Sequence, residues 1–124
     1  MKLQPDRFTA ANVIGGYTAT TLSIGERTWR ESLVLPWQGE VFAWNAAAFD
    51  ELNAGHFERV AALRPELVIF GSGARLRFPR PEWLRSLIEQ GVGLETMDTG
   101  AACRTYNVLV GEGRSVVAAL LIGA

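Results

Sequence analysis

Cysteine, histidine and lysine are almost absent from this chain, which has one of each among its 124 residues: Cys103, His56 and Lys2. One cysteine excludes an intramolecular disulfide and a dithiol redox motif, and with one histidine it is too little for a four-ligand structural zinc site. Because the only lysine is the second residue, a phosphate-binding loop of the Gly-Lys-Ser/Thr type is also excluded. The sequence therefore predicts no metal and no cofactor.

An excess of charge of one sign is also lacking. The chain has 12 basic and 13 acidic residues, which gives a net charge of -1, whereas a non-specific nucleic-acid binder needs a strong positive field. The longest apolar run, 115–123, is much shorter than the roughly 20 residues that cross a bilayer, and the first residues lack the apolar stretch of a signal peptide. We therefore expect no nucleic-acid partner, no direct membrane insertion and a cytoplasmic location.

The first half of the chain has the residue pattern of strands followed by short helices. With 48% hydrophobic and 20% charged residues, the composition predicts one globular domain over residues 1–124. The runs 17–24 and 27–35 are rich in β-branched and aromatic residues and predict a hairpin around Gly25, with a bend or bulge at Gly15 and Gly16. Asn45 is expected to cap a helix over the alanines that follow it, and a second short helix is expected over 56–63.

Strands and helices alternate in the second half. The apolar run after Glu66 predicts the central, fully buried strand of a sheet. A helix is expected to start at Pro81 and end at Gly91, with its apolar stripe on Trp83, Leu84, Leu87 and Ile88. A strand over 93–98, a helix over 100–110 and a strand over 114–122 complete the pattern. We predict the α/β class: a three-layer single domain with a central mixed β-sheet flanked by helices and an extra N-terminal β-hairpin layer.

One candidate pocket follows the central strand. Gly71, Ser72 and Gly73 stand where the chain leaves the sheet, the place where α/β proteins bind ligands. Asp98 and Thr99 stand at the next such exit. Two interpretations remain open at each exit. The glycines at the first exit either line a pocket or permit a tight turn. At the second exit, Thr99 either caps the next helix or helps to bind an anion. No catalytic residue is predicted, because no base accompanies Ser72.

A second candidate site is a basic and aromatic segment directly downstream. Four of the eleven arginines fall between positions 75 and 85. Such a surface suits a protein partner, although a solvated loop has the same composition. The predicted partner-binding residues are Arg75, Arg77, Phe78, Arg80 and Arg85. The exposed side of the helix that carries Thr105 and Asn107 is the alternative surface.

The C-terminal third carries a family resemblance. The step Met97-Asp98-Thr99, the polar pair Thr105 and Asn107 around a tyrosine, and Glu112-x-Arg114 before an apolar strand resemble a family of small proteins of unknown function that includes the mitochondrial complex I assembly factor 3. Ala102 and the step from Pro65 to Gly73 match as well, so the resemblance covers nearly the whole chain. It implies a three-layer α/β fold and no established enzymatic activity. With no transit peptide at its start, the chain looks like a bacterial member.

The remaining polar and nucleophilic residues are expected to have structural roles or to lie on the surface. Cys103 is expected in the core, His56 at a helix start, and Thr105 and Asn107 on the surface of their helix or bonded back to it. Glu112 and Arg114 flank a glycine turn and are expected to form a salt bridge.

Three functions remain in competition at this point. The leading hypothesis is a non-enzymatic, partner-binding or assembly-factor-like domain whose partners, by resemblance, are respiratory-complex assembly components. The alternative is a small-molecule or anion-binding domain, or a cryptic enzyme, with its pocket at the turn 71–73. The third and weakest is nucleic-acid binding by the arginine-rich segment.

Overall fold

The computed structural model describes residues 11–123, and that part contains eight strands, three α-helices and two short 3-10 helices. The strands are β1 (Ile14–Tyr17), β2 (Leu22–Ile24), β3 (Arg27–Trp29), β4 (Leu33–Pro36), β5 (Phe42–Ala43), β6 (Leu67–Gly71), β7 (Gly93–Met97) and β8 (Val116–Leu120). The α-helices are α1 (Ala54–Ala61), α2 (Arg85–Glu89) and α3 (Thr99–Gly111), and the 3-10 helices are Phe49–Glu51 and Pro81–Leu84.

Five strands form a mixed sheet in the order β5-β4-β8-β6-β7. β6 runs parallel to both β7 and β8, while β4 is antiparallel to β5 and β8. The predicted mixed sheet is confirmed, but its middle strand is β8 and not the strand after Glu66. All five residues of β8 are buried, because its short alanine and valine side chains let both helical layers approach it closely.

The other three strands form a separate antiparallel sheet in the order β1-β2-β3. Leu22 pairs with Trp29 and Ile24 with Arg27, so the hairpin turn at Gly25 is confirmed, and a register shift between Ile14 and Gly16 confirms the bulge. The predicted first strand over 17–24 is wrong as a single element, because residues 18–21 form the turn between β1 and β2. The predicted second strand over 27–35 is wrong as a single element. It divides after Trp29 because β4 is buried at every position and pairs with β8 in the main sheet.

Two apolar clusters cover the two faces of the main sheet and make it the middle of three layers. On one face, Ile69, Ala118 and Leu120 pack with α3 and with the three-stranded sheet. On the other face, Val68, Phe70 and Val117 pack with α1 and α2. Alternate residues of one strand therefore serve opposite clusters, as the pleat of a strand requires. The predicted three-layer α/β fold is confirmed.

The helices differ from the prediction in two places. Asn45 does not cap a helix: its backbone is left-handed, with φ 63°, and the chain forms only the 3-10 turn Phe49–Glu51. α1 begins at Ala54 because the Asn53 side chain accepts from the Gly55 N–H while His56 Nδ1 accepts from the Asn53 N–H. Ile88 was expected in the buried stripe but is 67% exposed. The helix α2 has only five residues, and Ile88 lies outside the one face that it turns toward the core.

None of the helices in the described part of the chain has the length and apolarity needed to cross a membrane.

Candidate functional site

Ser72 follows β6 directly and is buried. Its Oγ lies 2.7 Å from the carbonyl oxygen of Arg75 and 3.1 Å from that of Met97, and it accepts the N–H of Arg77 at 3.1 Å. The hydroxyl is therefore fully engaged with backbone groups. In the 73–80 loop, residues 73–80, it holds the backbone at Arg75 and Arg77.

Thr99 joins the exits of three strands at the first residue of α3. Its Oγ1 accepts the N–H of Gly73 at 2.9 Å and donates to the carbonyl of Leu121 at 2.7 Å. Its own N–H donates to the carbonyl of Gly73 at 2.9 Å. The prediction that Thr99 caps the helix is therefore wrong. Asp98 is the cap, since its carboxylate accepts the N–H of Ala101 at 2.9 Å.

Close packing accounts for the glycine at position 71. A Cβ at this position would lie 2.8 Å from Leu120 Cδ2 and 3.1 Å from the backbone Cα of Thr99. The start of α3 therefore rests directly on the end of β6. Gly73 has φ 102°, a conformation that favours glycine, and it begins the 73–80 loop.

A cavity of about 250 Å³ lies above these strand exits. Because β6, β7 and β8 are parallel, their carboxyl ends meet at one edge of the sheet, and the cavity is at that edge. Of the five residues predicted to form a pocket, Gly73, Asp98 and Thr99 line it, while Gly71 and Ser72 do not. The other walls come mainly from two segments that sequence reasoning missed. One is the β1–β2 turn with its flanking residues, and the other is the chain that follows β8: Tyr17, Thr18, Ala19, Thr21, Leu22, Leu121, Ile122 and Gly123.

The β1–β2 turn is fixed in place over this cavity. Thr18 Oγ1 accepts the N–H groups of Thr20 and Thr21 and lies 2.7 Å from Thr21 Oγ1. Gly123 N–H donates to the carbonyl of Ala19 at 3.2 Å. The only sequence signal for this wall was the threonine-rich stretch 18–21, and its position over the cavity depends on how the two sheets pack.

The five predicted partner-binding residues differ in their surroundings. Arg77 is committed to the fold, since it lies over the Phe49 ring at 4.1 Å and pairs with Asp50 at 3.2 Å. Arg80 lies over the Trp83 ring at 5.8 Å. Arg75, Phe78 and Arg85 are exposed, and Phe78 is 69% exposed. Leu76, which the sequence analysis did not select, is 54% exposed beside them.

Asn107 holds α3 to β1. Its Oδ1 accepts the N–H of Ile14 at 2.9 Å, and its Nδ2 donates to the carbonyl of Ile14 at 2.8 Å. The expectation that Asn107 is a surface residue or bonds back to its own helix is therefore wrong. The other family-motif positions of α3 are a buried Ala102 and a half-buried Thr105. Burial raises the pKa of the Cys103 thiol to about 11, in keeping with a core residue.

Arg114 pairs with Glu66 and not, as expected, with Glu112. Arg114 Nη2 lies 3.1 Å from Glu66 Oε2, and the other carboxylate oxygen of Glu66 accepts the N–H of Ser115 at 2.8 Å. These bonds join the start of β6 to the residues that lead into β8. The Ser115 N–H and then the Arg114 side chain hold the pKa of Glu66 below its usual value of 4.5.

In the described part of the chain, no group of three or more His, Cys, Asp or Glu side chains is arranged to hold a metal ion.

The sequence of this chain is similar to those of several known proteins. The chain is 30% identical over 124 residues to mouse "NADH dehydrogenase [ubiquinone] 1 alpha subcomplex assembly factor 3", which covers 98% of this chain and 66% of the relative. It is 36% identical over 121 residues to an uncharacterized protein of Rhodobacter capsulatus, covering 92% and 87%. The chain spans about half to two thirds of the length of the first assembly factors it matches.

The fold of this chain is also similar to solved structures of related sequence. A solution structure of a Bordetella pertussis protein, described as an Mth938-like domain, superposes with a TM-score of 0.84 at 30% identity and covers 100% of this chain and 94% of that one. The model of a family described as "Protein of unknown function (DUF498/DUF598)" matches residues 14–121. The chain therefore belongs to the DUF498/DUF598 family.

Proposed function

We propose that this chain is a non-enzymatic, partner-binding protein that acts as an assembly-factor-like module. One observation carries the proposal: Leu76 and Phe78 are 54% and 69% exposed on a loop whose backbone is tied to buried Ser72. Large apolar side chains that a fixed loop holds in solvent are typical of protein-binding surfaces. Of the predicted surface, Arg75, Phe78, Arg80 and Arg85 remain outward-facing candidates for contact.

The relatives favour a particular class of partner. The mammalian relatives are named as assembly factors of a subcomplex of NADH dehydrogenase, so we propose components of a respiratory complex, or of its assembly, as partners here. The proposal of a non-enzyme is supported by the hydroxyls of Ser72 and Thr99, both of which are bonded to backbone groups. We propose the cytoplasm as the site of action, where a lone thiol such as Cys103 stays reduced.

Affinity purification of the tagged full chain from its native host tests this proposal. We expect one or more proteins to co-purify in stoichiometric amounts, with respiratory-complex subunits or their assembly components among them. Recovery of the intact bait without any stoichiometric protein, across respiratory and fermentative growth, would count against a partner-binding function.

The cavity supports a second candidate function, the binding of a small molecule. Gly73, Asp98 and Thr99 line it together with apolar Leu22, Leu121 and Ile122, a mixture that suits a small ligand. A thermal-shift screen with inorganic phosphate and nucleotides checks this candidate, since a ligand at 100 times its Kd adds about 2.7 kcal/mol of stability. Ala19→Phe, which narrows the cavity from the β1–β2 turn, is expected to abolish any shift. The absence of a shift with every probe would exclude these ligands.

A further inference from the structure

The 73–80 loop has a defined conformation although it contains neither helix nor strand. Ser72 Oγ lies 2.7 Å from the carbonyl oxygen of Arg75 and accepts the N–H of Arg77. The Arg77 side chain fixes the same loop from the other side, through Asp50 and the ring of Phe49. The loop is thus preorganised, and a partner that binds it avoids much of the entropic cost of ordering it.

Side chains that are held against the fold and side chains that are exposed follow one another in this loop. Arg77 is directed toward Phe49 and Asp50, and its neighbours Leu76 and Phe78 are largely exposed. Leu76 and Phe78, on either side of Arg77, therefore present apolar surface to solvent.

Charge around this apolar surface is strongly positive. Residues 75–85 contain four arginines and one glutamate, so the other residues of the chain contain eight basic and twelve acidic side chains. Among the described residues, Arg77 and Arg114 are the arginines with a carboxylate within 4.0 Å. Arg75, Arg80 and Arg85 are exposed and make no such pair with a described residue.

A cleft lies next to the loop. It has a volume of about 320 Å³ and is lined by Ala48, Phe49, Ser72, Ala74, Arg75 and Arg77. The Arg77 guanidinium is already paired with Asp50, so the cleft suits an acidic side chain whose apolar stem packs near Phe49 and whose carboxylate reaches Arg75.

We propose, resting on the proposed partner-binding function, that the 73–80 loop is a docking site for an acidic segment of another protein. Apolar side chains of that segment cover Leu76 and Phe78, and its carboxylates pair with Arg75 and Arg80 at the rim and at the cleft. Charge complementarity identifies the occupant as acidic. A protein segment is favoured over nucleic acid because the whole chain is negative, at -1, and would repel a long polyanion outside this patch.

Site-specific photocrosslinking in the native host tests where and what the loop binds. Benzoylphenylalanine is placed at Phe78 and, as the matched control, at Val108, which is 60% exposed on α3. We expect a protein crosslink from position 78 and none from 108, with the crosslinked peptide carrying an excess of Asp and Glu beside apolar residues. Nucleic acid or lipid at position 78, or a basic peptide, would overturn the proposal.

A binding titration then tests the charge contribution. A synthetic peptide with the sequence crosslinked at position 78 is titrated with the wild-type chain and with Arg75→Glu/Arg80→Glu. We expect the double reversal to weaken binding at low salt by about tenfold or more. The control Arg30→Glu/Arg64→Glu makes the same change in net charge at exposed positions elsewhere, and we expect its effect to be much smaller.

The outcomes separate the two proposals. A stoichiometric partner that crosslinks at position 108 and not at 78, or binds both double variants equally, overturns the docking site and leaves the partner-binding function standing. The absence of any protein partner for the wild-type chain overturns the function itself.

Discussion

Individual polar residues that stand out in the sequence mostly join parts of the fold. Ser72, Thr99 and Asn107 each bond to backbone groups far away in sequence, such as Met97, Leu121 and Ile14. Sequence reasoning identified these positions, because polar residues beside buried runs stand out. It could not assign their roles, since the acceptors belong to other strands and their proximity depends on the packing of the two sheets.

Asn107→Asp tests the joint between α3 and β1. The substitution replaces the Nδ2 donor with a carboxylate oxygen that faces the Ile14 carbonyl, which the native side chain contacts at 2.8 Å. We expect the free energy of unfolding to fall by about 1–3 kcal/mol, the cost of an unsatisfied, partly buried polar group. Chemical denaturation near neutral pH measures it. Gln90→Glu, the same chemical change at an exposed position, serves as the control, and equal stabilities of the two variants would contradict this role.

Gly71→Ala tests the close approach of α3 to β6. The new methyl group would meet the Thr99 backbone at 3.1 Å as well as Leu120, so the helix itself has to shift. We expect a loss of about 1–3 kcal/mol in unfolding free energy, as for other overpacked cores. Gly111→Ala places a methyl at the end of α3 with nothing within 4 Å and is expected to leave stability equal or higher. A neutral Gly71→Ala would show that packing does not require glycine here.

At the scale of elements, periodicity and turn residues predicted most of the structure. The hairpin at Gly25, the buried strand β6 and the long helix α3 follow from local patterns and are present. The errors fall where tertiary pairing overrides local preference. β4 leaves the hairpin because its fully buried side chains fit the main sheet, and Asn45 adopts a left-handed turn in place of a helix cap.

The beginning of α3 depends on Asp98, which satisfies an N–H of the first turn and places a carboxylate at the positive end of the helix. Asp98→Ala removes both, and we expect a loss of about 0.5–2 kcal/mol in unfolding free energy. Asp98→Asn keeps the acceptor oxygen and is expected to restore most of that loss. Urea denaturation of the three proteins makes the comparison; an alanine variant as stable as wild type would argue against the cap.

At the scale of the whole molecule, the fold class and the three-layer arrangement followed from the alternation of strands and helices, whereas the strand order did not. β8, the last strand of the chain, lies at the middle of the sheet, and the pair Glu66–Arg114 holds its beginning to that of β6. The long-range packing also creates the cavity, whose β1–β2 wall no local pattern reveals.

Glu66 gives this junction a dependence on pH. Since its folded pKa is lowered, its contribution to stability is fully present above its unfolded value near 4.5 and is lost as the pH falls through the folded pKa. Glu66→Gln removes that charge, so the stability difference between wild type and variant should be larger at about pH 7 than at about pH 3. Unfolding free energies at both pH values provide the test, with Glu89→Gln at an exposed position as control. A difference that does not change with pH would contradict the account of the pair.

The 73–80 loop is the feature on which the proposed function depends at this scale. It carries two apolar side chains that are exposed to solvent, and it lies within the most basic segment of an otherwise acidic chain. The sequence indicated the arginines and Phe78. The exposure of Leu76 and the inward position of Arg77 could not be predicted from the sequence, because they depend on contacts of Arg77 with Phe49 and Asp50.

Parallel affinity purification of two double variants from the native host tests this claim most directly. Leu76→Ser/Phe78→Ser removes the apolar surface of the loop, and Val13→Ser/Val108→Ser removes two apolar side chains elsewhere that are also more than half exposed. Circular dichroism first establishes that both variants are folded. We predict that the partner recovered with the wild-type chain is lost with the loop variant and retained with the control. Retention of the same partner at the same level by the loop variant would contradict the claim that this protein binds through the 73–80 loop.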